Sequence, residues 1–349
     1  MKVMIVIATK SMGGAERVSM HLCRWINAQE GHSAMIAVLR PKSGKTYDMS
    51  SLPTAELAAG HTLSQLIRLI RSERPDVVLS MGVPMALYTV PACKLTGVKH
   101  VISERSDPGH FSGKAAVGWL SKRLMRHADG YVFQTEEARD YYGLKKKSAV
   151  IPNPLANAEA LPPQRFTGGR EKKIVTAGRL IRAKNQSMLI ESFAGVHSRH
   201  PDWQLWLWGT GPEEAALRKL AEEKGLGDAV RLPGASDRLM EEIYTAGLFV
   251  LSSDFEGMPN ALMEAMALGL PCISTDCPCG GPHSLIQPGV NGLLVPVGDR
   301  AAMTDAMLRM IEEPELADAC GRAAFGIRQT HSQDGICRAW LDFFREVAG

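Results

Sequence analysis

Phe249-Val250-Leu251-Ser252-Ser253-Asp254-Phe255-Glu256-Gly257-Met258-Pro259-Asn260-Ala261-Leu262-Met263-Glu264-Ala265-Met266-Ala267 passes from an apolar run, through a polar loop, into a segment with apolar residues at helical spacing. A short apolar run, a loop and a helix make the strand-to-helix half of a βαβ unit. Pro259 stands where a first helical turn accepts proline, whose missing N–H has no intrahelical partner there in any case. The open amides and positive dipole end of such a helix suit an anion or sugar hydroxyls. Glu256 lies in the loop just before the helix, and Glu264 lies a turn beyond Asn260 on the same face. Carboxylates so placed can accept hydrogen bonds from sugar or ribose hydroxyls. Taken alone, the pair reads first as a loop acid and a helix acid that are merely solvated.

The same alternation repeats outward from this segment. In the second half, residues 174–177, 204–208, 230–232, 249–252, 272–275 and 293–295 read as buried strands. Helical patterns at 185–197, 213–224, 238–246, 260–268 and 301–312 fill the gaps. In the first half, strands at 3–8, 34–39, 77–80, 100–103 and 131–133 alternate with helices at 15–29, 62–71, 85–96, 114–126 and 136–142. The stretch 41–60 has weak periodicity and reads as an irregular excursion. Pro152-Asn153-Pro154 and the Pro- and Gly-containing stretch 162–170 interrupt the alternation as an interdomain linker does. A chain of 349 residues also exceeds what one core usually supports. The expected fold class is therefore α/β, with two doubly wound parallel-sheet domains facing each other across a cleft. The boundaries are 1–155 for the first domain, 156–172 for the linker and 173–330 for the second domain. A last helix at 331–349, apolar at Ile336, Trp340, Phe343 and Phe344, is expected to pack back on the first domain. In such sheets ligands bind outside the carboxyl ends of the strands, where the motifs fall.

With 45% hydrophobic and 22% charged residues, the chain has the balance of a soluble globular protein. Its apolar runs are far shorter than the ~20 residues that span a bilayer, and its start lacks the features of a secretory signal. Reduced thiols and a cytoplasmic location are expected for the seven cysteines. Cys277 and Cys279 have no second pair at zinc-ligand spacing, so no metal site is expected.

Net charge is +3 but uneven: residues 1–155 hold 21 Lys and Arg against 12 Asp and Glu, whereas 156–349 hold 19 against 25. The first half thus suits an anionic partner. No nucleic-acid motif accompanies the charge, and an anionic membrane surface or a phosphate-bearing acceptor fits it. Segment 114–126 sets Lys114, Lys122, Arg123 and Arg126 around Ala115, Val117, Trp119, Leu120 and Leu124. Such a basic amphipathic helix can lie on anionic lipid; its other reading is an ordinary surface helix. Lys145-Lys146-Lys147 adds charge to the same half.

Three more strand-to-helix turns carry candidate chemistry. In Gly178-Arg179-Leu180-Ile181-Arg182-Ala183-Lys184-Asn185-Gln186, Arg179 and Lys184 can clamp a diphosphate, or be solvated loop cations. Gly13-Gly14, after Met12, lets a ligand approach the backbone. It is not a dinucleotide fingerprint, and no acidic residue ends a second strand in that manner, which disfavours a dehydrogenase. Ser103-Glu104-Arg105-Ser106-Asp107-Pro108, with His110 beyond it, leaves a strand end of the first half. The strand Trp203-Gln204-Leu205-Trp206-Leu207-Trp208 reads as core rather than as a sugar platform.

The Glu256-x7-Glu264 segment resembles the signature of family-4 retaining glycosyltransferases of the GT-B fold. Gly178-Arg179-Leu180 with Lys184-Asn185 is similar to that family's diphosphate clamp. Gly13-Gly14-Ala15-Glu16-Arg17, Pro152-Asn153-Pro154 and Gly289-Val290-Asn291-Gly292-Leu293-Leu294-Val295 match as well, so the resemblance spans nearly the whole chain in order. It implies catalytic roles for Arg179 and Lys184, which would stabilise the departing diphosphate, and for Glu256, which would contact the donor sugar. It implies that Glu264 holds the ribose while the backbone of Gly257, Met258, Pro259, Asn260 and Ala261 binds sugar hydroxyls and phosphate. Pro233 and Gly234, with Gly209 nearby, would read the base, and Gly13, Gly14 and Gly178 would approach the diphosphate. Cationic side chains stand in for a metal in this family, so no cofactor is implied.

Many relatives carry a His where Arg105 stands, which leaves the acceptor side open; Glu104, Arg105 and His110 are its candidates. The resemblance implies a retaining hexosyl or N-acetylhexosaminyl transfer from a nucleotide sugar, UDP-linked ahead of GDP-linked. The implied acceptor is a glycan, polyprenyl-diphosphate-linked, in bacterial surface polysaccharide assembly. The implied place is peripheral, on the cytoplasmic face of the plasma membrane. The rival readings are a nucleotide-sugar epimerase, a glycan phosphorylase (which needs a pyridoxal-phosphate lysine) and a non-catalytic nucleotide-sugar-binding subunit.

Overall fold

The computed structural model describes residues 1–10, 13–40, 46–58, 60–110, 115–144, 147–155 and 161–349. Met12, Lys114, Lys145, Lys146, residues 156–160 of the expected linker, and 41–45 and 59 of the expected excursion lie outside the described residues. The chain divides into two compact units, Met1–Ala156 with His331–Gly349, and Asn157–Thr330.

The first unit is a seven-stranded parallel sheet made of β1 (Lys2–Ile7), β2 (Ser33–Val38), β3 (Thr54–Glu56), β4 (Val77–Met81), β5 (Lys99–Ser103), β6 (Gly130–Phe133) and β7 (Ser148–Val150). The strand order is β3-β2-β1-β4-β5-β6-β7. Val3 to Ile7 form an unbroken apolar run that is buried throughout, as a parallel strand covered by helices on both faces must be. The helix Gln333–Ala348 belongs to this unit. Its Ile336, Cys337, Trp340, Phe343, Phe344 and Val347 join the core built around β1, β2 and β4. The fit is close: a Cβ on Gly130 would fall 2.7 Å from Val347 Cγ2. Trp25 Nε1 donates to Asp334 Oδ1 at 3.0 Å at the start of the helix.

The second unit is a six-stranded parallel sheet of β8 (Glu171–Ala177), β9 (Gln204–Trp208), β10 (Val230–Gly234), β11 (Ala246–Leu251), β12 (Cys272–Thr275) and β13 (Leu293–Val295), in the order β10-β9-β8-β11-β12-β13. Along β9, Leu205 and Leu207 are fully buried and Trp208 is 7% exposed, while Trp206 is half-buried under the Lys173 ammonium. Both sheets wind outward in two directions from a central pair of strands, the arrangement of Rossmann-like units.

Several local features differ from the sequence reading. The excursion at 41–60 contains β3, which pairs with Ile36–Val38 through only three residues, too few for a period to show. β7 adds an edge strand of three residues after the lysine run. The helix expected at 238–246 is confined to Leu239–Ile243, and β11 takes over from Ala246. Gly247 lies in that strand because a Cβ there would sit 2.7 Å from the Glu171 carbonyl oxygen. Helices Gly281–Leu285, Pro314–Ala324 and Ile327–Thr330 are additional to those expected.

Candidate active site

In the second unit the winding reverses between β8 and β11, the two central strands. In a doubly wound sheet the usual ligand position lies outside the carboxyl ends of these two strands. The chain leaves β8 through Gly178 to Asn185 and leaves β11 through Ser252 to Pro259, so the two motifs meet although some 70 residues separate them.

The central contact is an ion pair in which Lys184 Nζ donates to Glu256 Oε1, with side-chain exposures of 21% and 13%. Ser253 Oγ donates to the same carboxylate oxygen at 2.6 Å. Thr275 Oγ1, at the end of β12, donates to the Ser253 carbonyl at 2.6 Å and fixes the strand exit from the other side. Cys277 Sγ also donates to that carbonyl, at 3.1 Å. Burial pushes the Cys277 thiol up to about 12, against the pull of Thr275, so it is not a thiolate nucleophile at neutral pH. Gly281 packs against the loop: a Cβ there would lie 1.6 Å from the Gly257 carbonyl oxygen. Glycine at this point is what lets the Cys-Pro-Cys-Gly-Gly turn back up the Glu256 loop.

Around this pair the remaining predicted residues take definite places. Arg179 is exposed, and among the described residues its guanidinium makes no ion pair. Gly178 N–H donates to Trp208 O at 2.9 Å, and Gly209 N–H to Gly234 O at 2.8 Å, so the turns after β8, β9 and β10 are stitched together. Gly209 has φ +137°, and a Cβ there would stand 1.9 Å from the Gly178 carbonyl oxygen. Pro233 is exposed beside it. Met258 and Pro259 are buried, while Gly257, Asn260, Ala261 and Glu264 are half-buried. The helix Asn260–Ala267 begins with no side-chain cap.

In the first unit, Gly13 is the N-cap of helix Gly14–Asn27, just past β1, with Glu16 folded over it. Glu104 is only 6% exposed, and its carboxylate is fully engaged within the unit. One oxygen accepts from Arg105 N, Ser106 N and Ser106 Oγ at 2.9, 3.0 and 2.8 Å, and the other accepts from Tyr142 Oη at 2.8 Å. The Arg105 guanidinium donates to Ile151 O at 3.1 Å and to Asn153 Oδ1, and lies 5.7 Å from the Trp340 ring centroid. Burial lowers it to about 9, with Glu104 acting in the opposite direction. It remains a cation at neutral pH. His110 is exposed, with Nδ1 held by Asp107 Oδ2 at 2.7 Å.

The sequence assigns no role to Ser253, Asp254 or Asn185, although Asn185 stands beside Lys184 in the clamp motif. Ser, Asp and Asn beside a strand end are ordinary loop residues until the partner loop is placed against them.

Residues 157–326 match the family model for Glycosyl transferases group 1, and residues 12–156 that for Glycosyltransferase Family 4. The chain belongs to the glycosyltransferases. This glycosyltransferase is 28% identical to the lipopolysaccharide core biosynthesis glycosyltransferase LpsE of Rhizobium meliloti, over 87% of each chain. It is 34% identical to an exopolysaccharide phosphotransferase of Streptomyces coelicolor over 57% of its own length, which spans only 21% of that longer protein. Its fold matches Anabaena HepE, solved in complex with UDP, with a TM-score of 0.85 at 16% identity, over 99% of this chain and 100% of that one.

Proposed function

We propose that this glycosyltransferase moves a hexosyl or N-acetylhexosaminyl group from a UDP-linked donor to a glycan acceptor, with retention, in bacterial surface polysaccharide assembly. The observation that carries the reading is the meeting of Lys184 and Glu256 at the switch point of the second sheet. There Lys184, with Arg179, supplies counter-charge to a diphosphate leaving group, the electrostatic contribution that dominates such transfers. Glu256 addresses the donor sugar and Glu264 the ribose. UDP is favoured because a protein of this fold was solved with it; surface polysaccharide is favoured because LpsE acts in lipopolysaccharide core biosynthesis. The reading asks for no metal, and transfer is expected to persist in excess chelator.

The acceptor is proposed to be polyprenyl-diphosphate-linked, with the enzyme peripheral on the cytoplasmic face of the membrane. Among the described residues no helix is long and apolar enough to cross a bilayer. The helix Ala115–Met125 buries Gly118, Ser121 and Met125, while Trp119 is 65% and Leu120 40% exposed. Trp119 and Leu120 thus face solvent, whereas Met125 is turned inward. Leu95, 63% exposed, lies on the packed neighbouring helix Ala86–Thr96. Lys122, Arg123, Arg126 and His127 line a groove of about 560 Å³ with Trp119. Apolar insertion within a basic rim fits an anionic bilayer.

The deciding experiment is transfer from UDP-sugars with analysis of the product anomer. Lys184→Ala is expected to cut turnover by about 100-fold or more while the melting temperature stays near wild type. Near-normal turnover in this variant would sink the diphosphate assignment. An inverted product would sink retention.

A further inference from the structure

Three consecutive residues of the β8 loop are each held by the exit of β11. Asp254 N–H donates to Ala183 O at 2.9 Å, Ser252 Oγ donates to Lys184 O at 2.9 Å, and Asn185 Nδ2 donates to Asp254 Oδ1 at 2.6 Å. Lys184 is therefore gripped through its own carbonyl and through both neighbours. Asn185 has φ +46°, a left-handed conformation that Asn and Asp tolerate better than other non-glycine residues. Its Oδ1 accepts from Met188 N at 3.3 Å and so caps the helix Gln186–Arg199; it also accepts from Ser187 Oγ at 3.1 Å. Both ends of the amide are in use, one on the helix and one on the partner loop. An amide provides that combination; a carboxylate has no donor for Asp254.

We infer that the Asn185–Asp254 hydrogen bond is a positioning device that fixes the Lys184 ammonium where the donor's diphosphate binds. The inference rests on the diphosphate reading of Lys184 above. Neither residue touches the donor; both act through Lys184. Lys184 carries four rotatable side-chain bonds and a compact charge, so its placement depends on a backbone held at both flanks. The bond to the Asp254 carboxylate is charge-assisted, the stronger class of hydrogen bond.

The pair can be tested by exchanging its partners. Asn185→Asp keeps the helix cap and the backbone conformation, removes the donor and sets two carboxylates face to face. Asp254→Asn keeps an acceptor, because the amide can turn its oxygen towards Asn185. The double exchange, Asn185→Asp with Asp254→Asn, restores one donor and one acceptor with their roles reversed. Affinity for UDP and for uridine is measured by titration calorimetry, with the melting temperature of each variant and with Lys184→Ala as control. The expected result is that Asn185→Asp lowers the preference for UDP over uridine by about tenfold, the scale of one charged hydrogen bond. Affinity for uridine should stay within about twofold, and the double exchange should recover most of the preference.

A wild-type preference that Asn185→Asp retains overturns the inference, as does a well-folded double exchange no better than Asn185→Asp. Parallel loss of uridine and UDP binding also overturns it, since a general loosening of the site would do that. If Lys184→Ala loses the preference and Asn185→Asp does not, the positioning role falls and the diphosphate reading stands. A wild-type protein with no preference for UDP brings down both. Should Asn185→Asp fail to fold, Asp254→Ala removes the acceptor alone and takes its place with the same expected outcome.

Discussion

At the scale of single residues, the site is decided by where a few small or bifunctional side chains stand. Gly209 is the clearest case, because left-handed backbone and a carbonyl oxygen 1.9 Å from any Cβ leave no room for a side chain. Gly209→Ala is expected to cost about 1–3 kcal/mol of stability in the second unit and to weaken UDP binding, since the turns after β8, β9 and β10 move together. Equilibrium unfolding and calorimetry check both effects; an unchanged UDP affinity would detach Gly209 from the donor site. Lys184, Arg179, Glu256 and Glu264 were legible as candidates because their residue types recur at fixed offsets after a strand. Asn185 stands beside Lys184 in the same motif and Asp254 two residues before Glu256, but neither position shows what it bonds to. Their link joins loops far apart in sequence, and only the sheet order makes them neighbours.

Among the elements, two helices give the sharpest contrasts between pattern and placement. Helix Gln333–Ala348 reads as amphipathic in sequence, and its apolar stripe completes the first unit's core. Trp340 is fully buried there. Trp340→Ala is expected to lower stability by about 3–5 kcal/mol, the cost of emptying a large core site. Denaturant unfolding followed by circular dichroism measures it, and a change under about 1 kcal/mol would mean that the helix is dispensable. Helix Ala115–Met125 has the opposite character, with Gly118, Ser121 and Met125 turned inward and Trp119 and Leu120 outward. Trp119→Ser, or Arg123→Glu with Arg126→Glu, is expected to abolish sedimentation with phosphatidylglycerol vesicles while transfer to a soluble acceptor continues. Binding that is insensitive to salt would contradict the electrostatic part of this reading. Which side of this helix faces the protein was not readable from its sequence, because both sides carry apolar residues.

For the molecule as a whole, acid sensitivity is predicted to reside in the first unit. His100 donates through Nε2 to Ser80 Oγ at 2.8 Å, since the Ser80 proton goes to Thr89 and that of Thr89 to the Met85 carbonyl. Desolvation lowers His100 to about 3 and, with Arg17 and Arg24 assisting, lowers His21 to about 4. Between about pH 6.5 and 4 the unfolded chain binds protons at these sites and the folded chain does not. Stability therefore rises with pH across that window, by up to about 1.4 kcal/mol per pH unit for each histidine. Urea unfolding as a function of pH measures the slope. His100→Gln is expected to reduce it by about one proton, and an unchanged slope would refute the assignment. Local sequence pattern is enough for the division into two βα-alternating halves, for the strand-to-helix turns that carry the site, and for the glycosyltransferase signature around Glu256. These are local patterns, set by side-chain periodicity and by residues that only certain turns accept. Tertiary structure alone decided which loops become neighbours, that Glu104 and Arg105 are engaged inside their own unit, and that Glu256 is held by Lys184 and Ser253. Sheet order follows from burying every strand at once, a collective condition that leaves no mark at any single spacing in the chain. The Glu256 loop is fixed by partners that the sequence keeps far away.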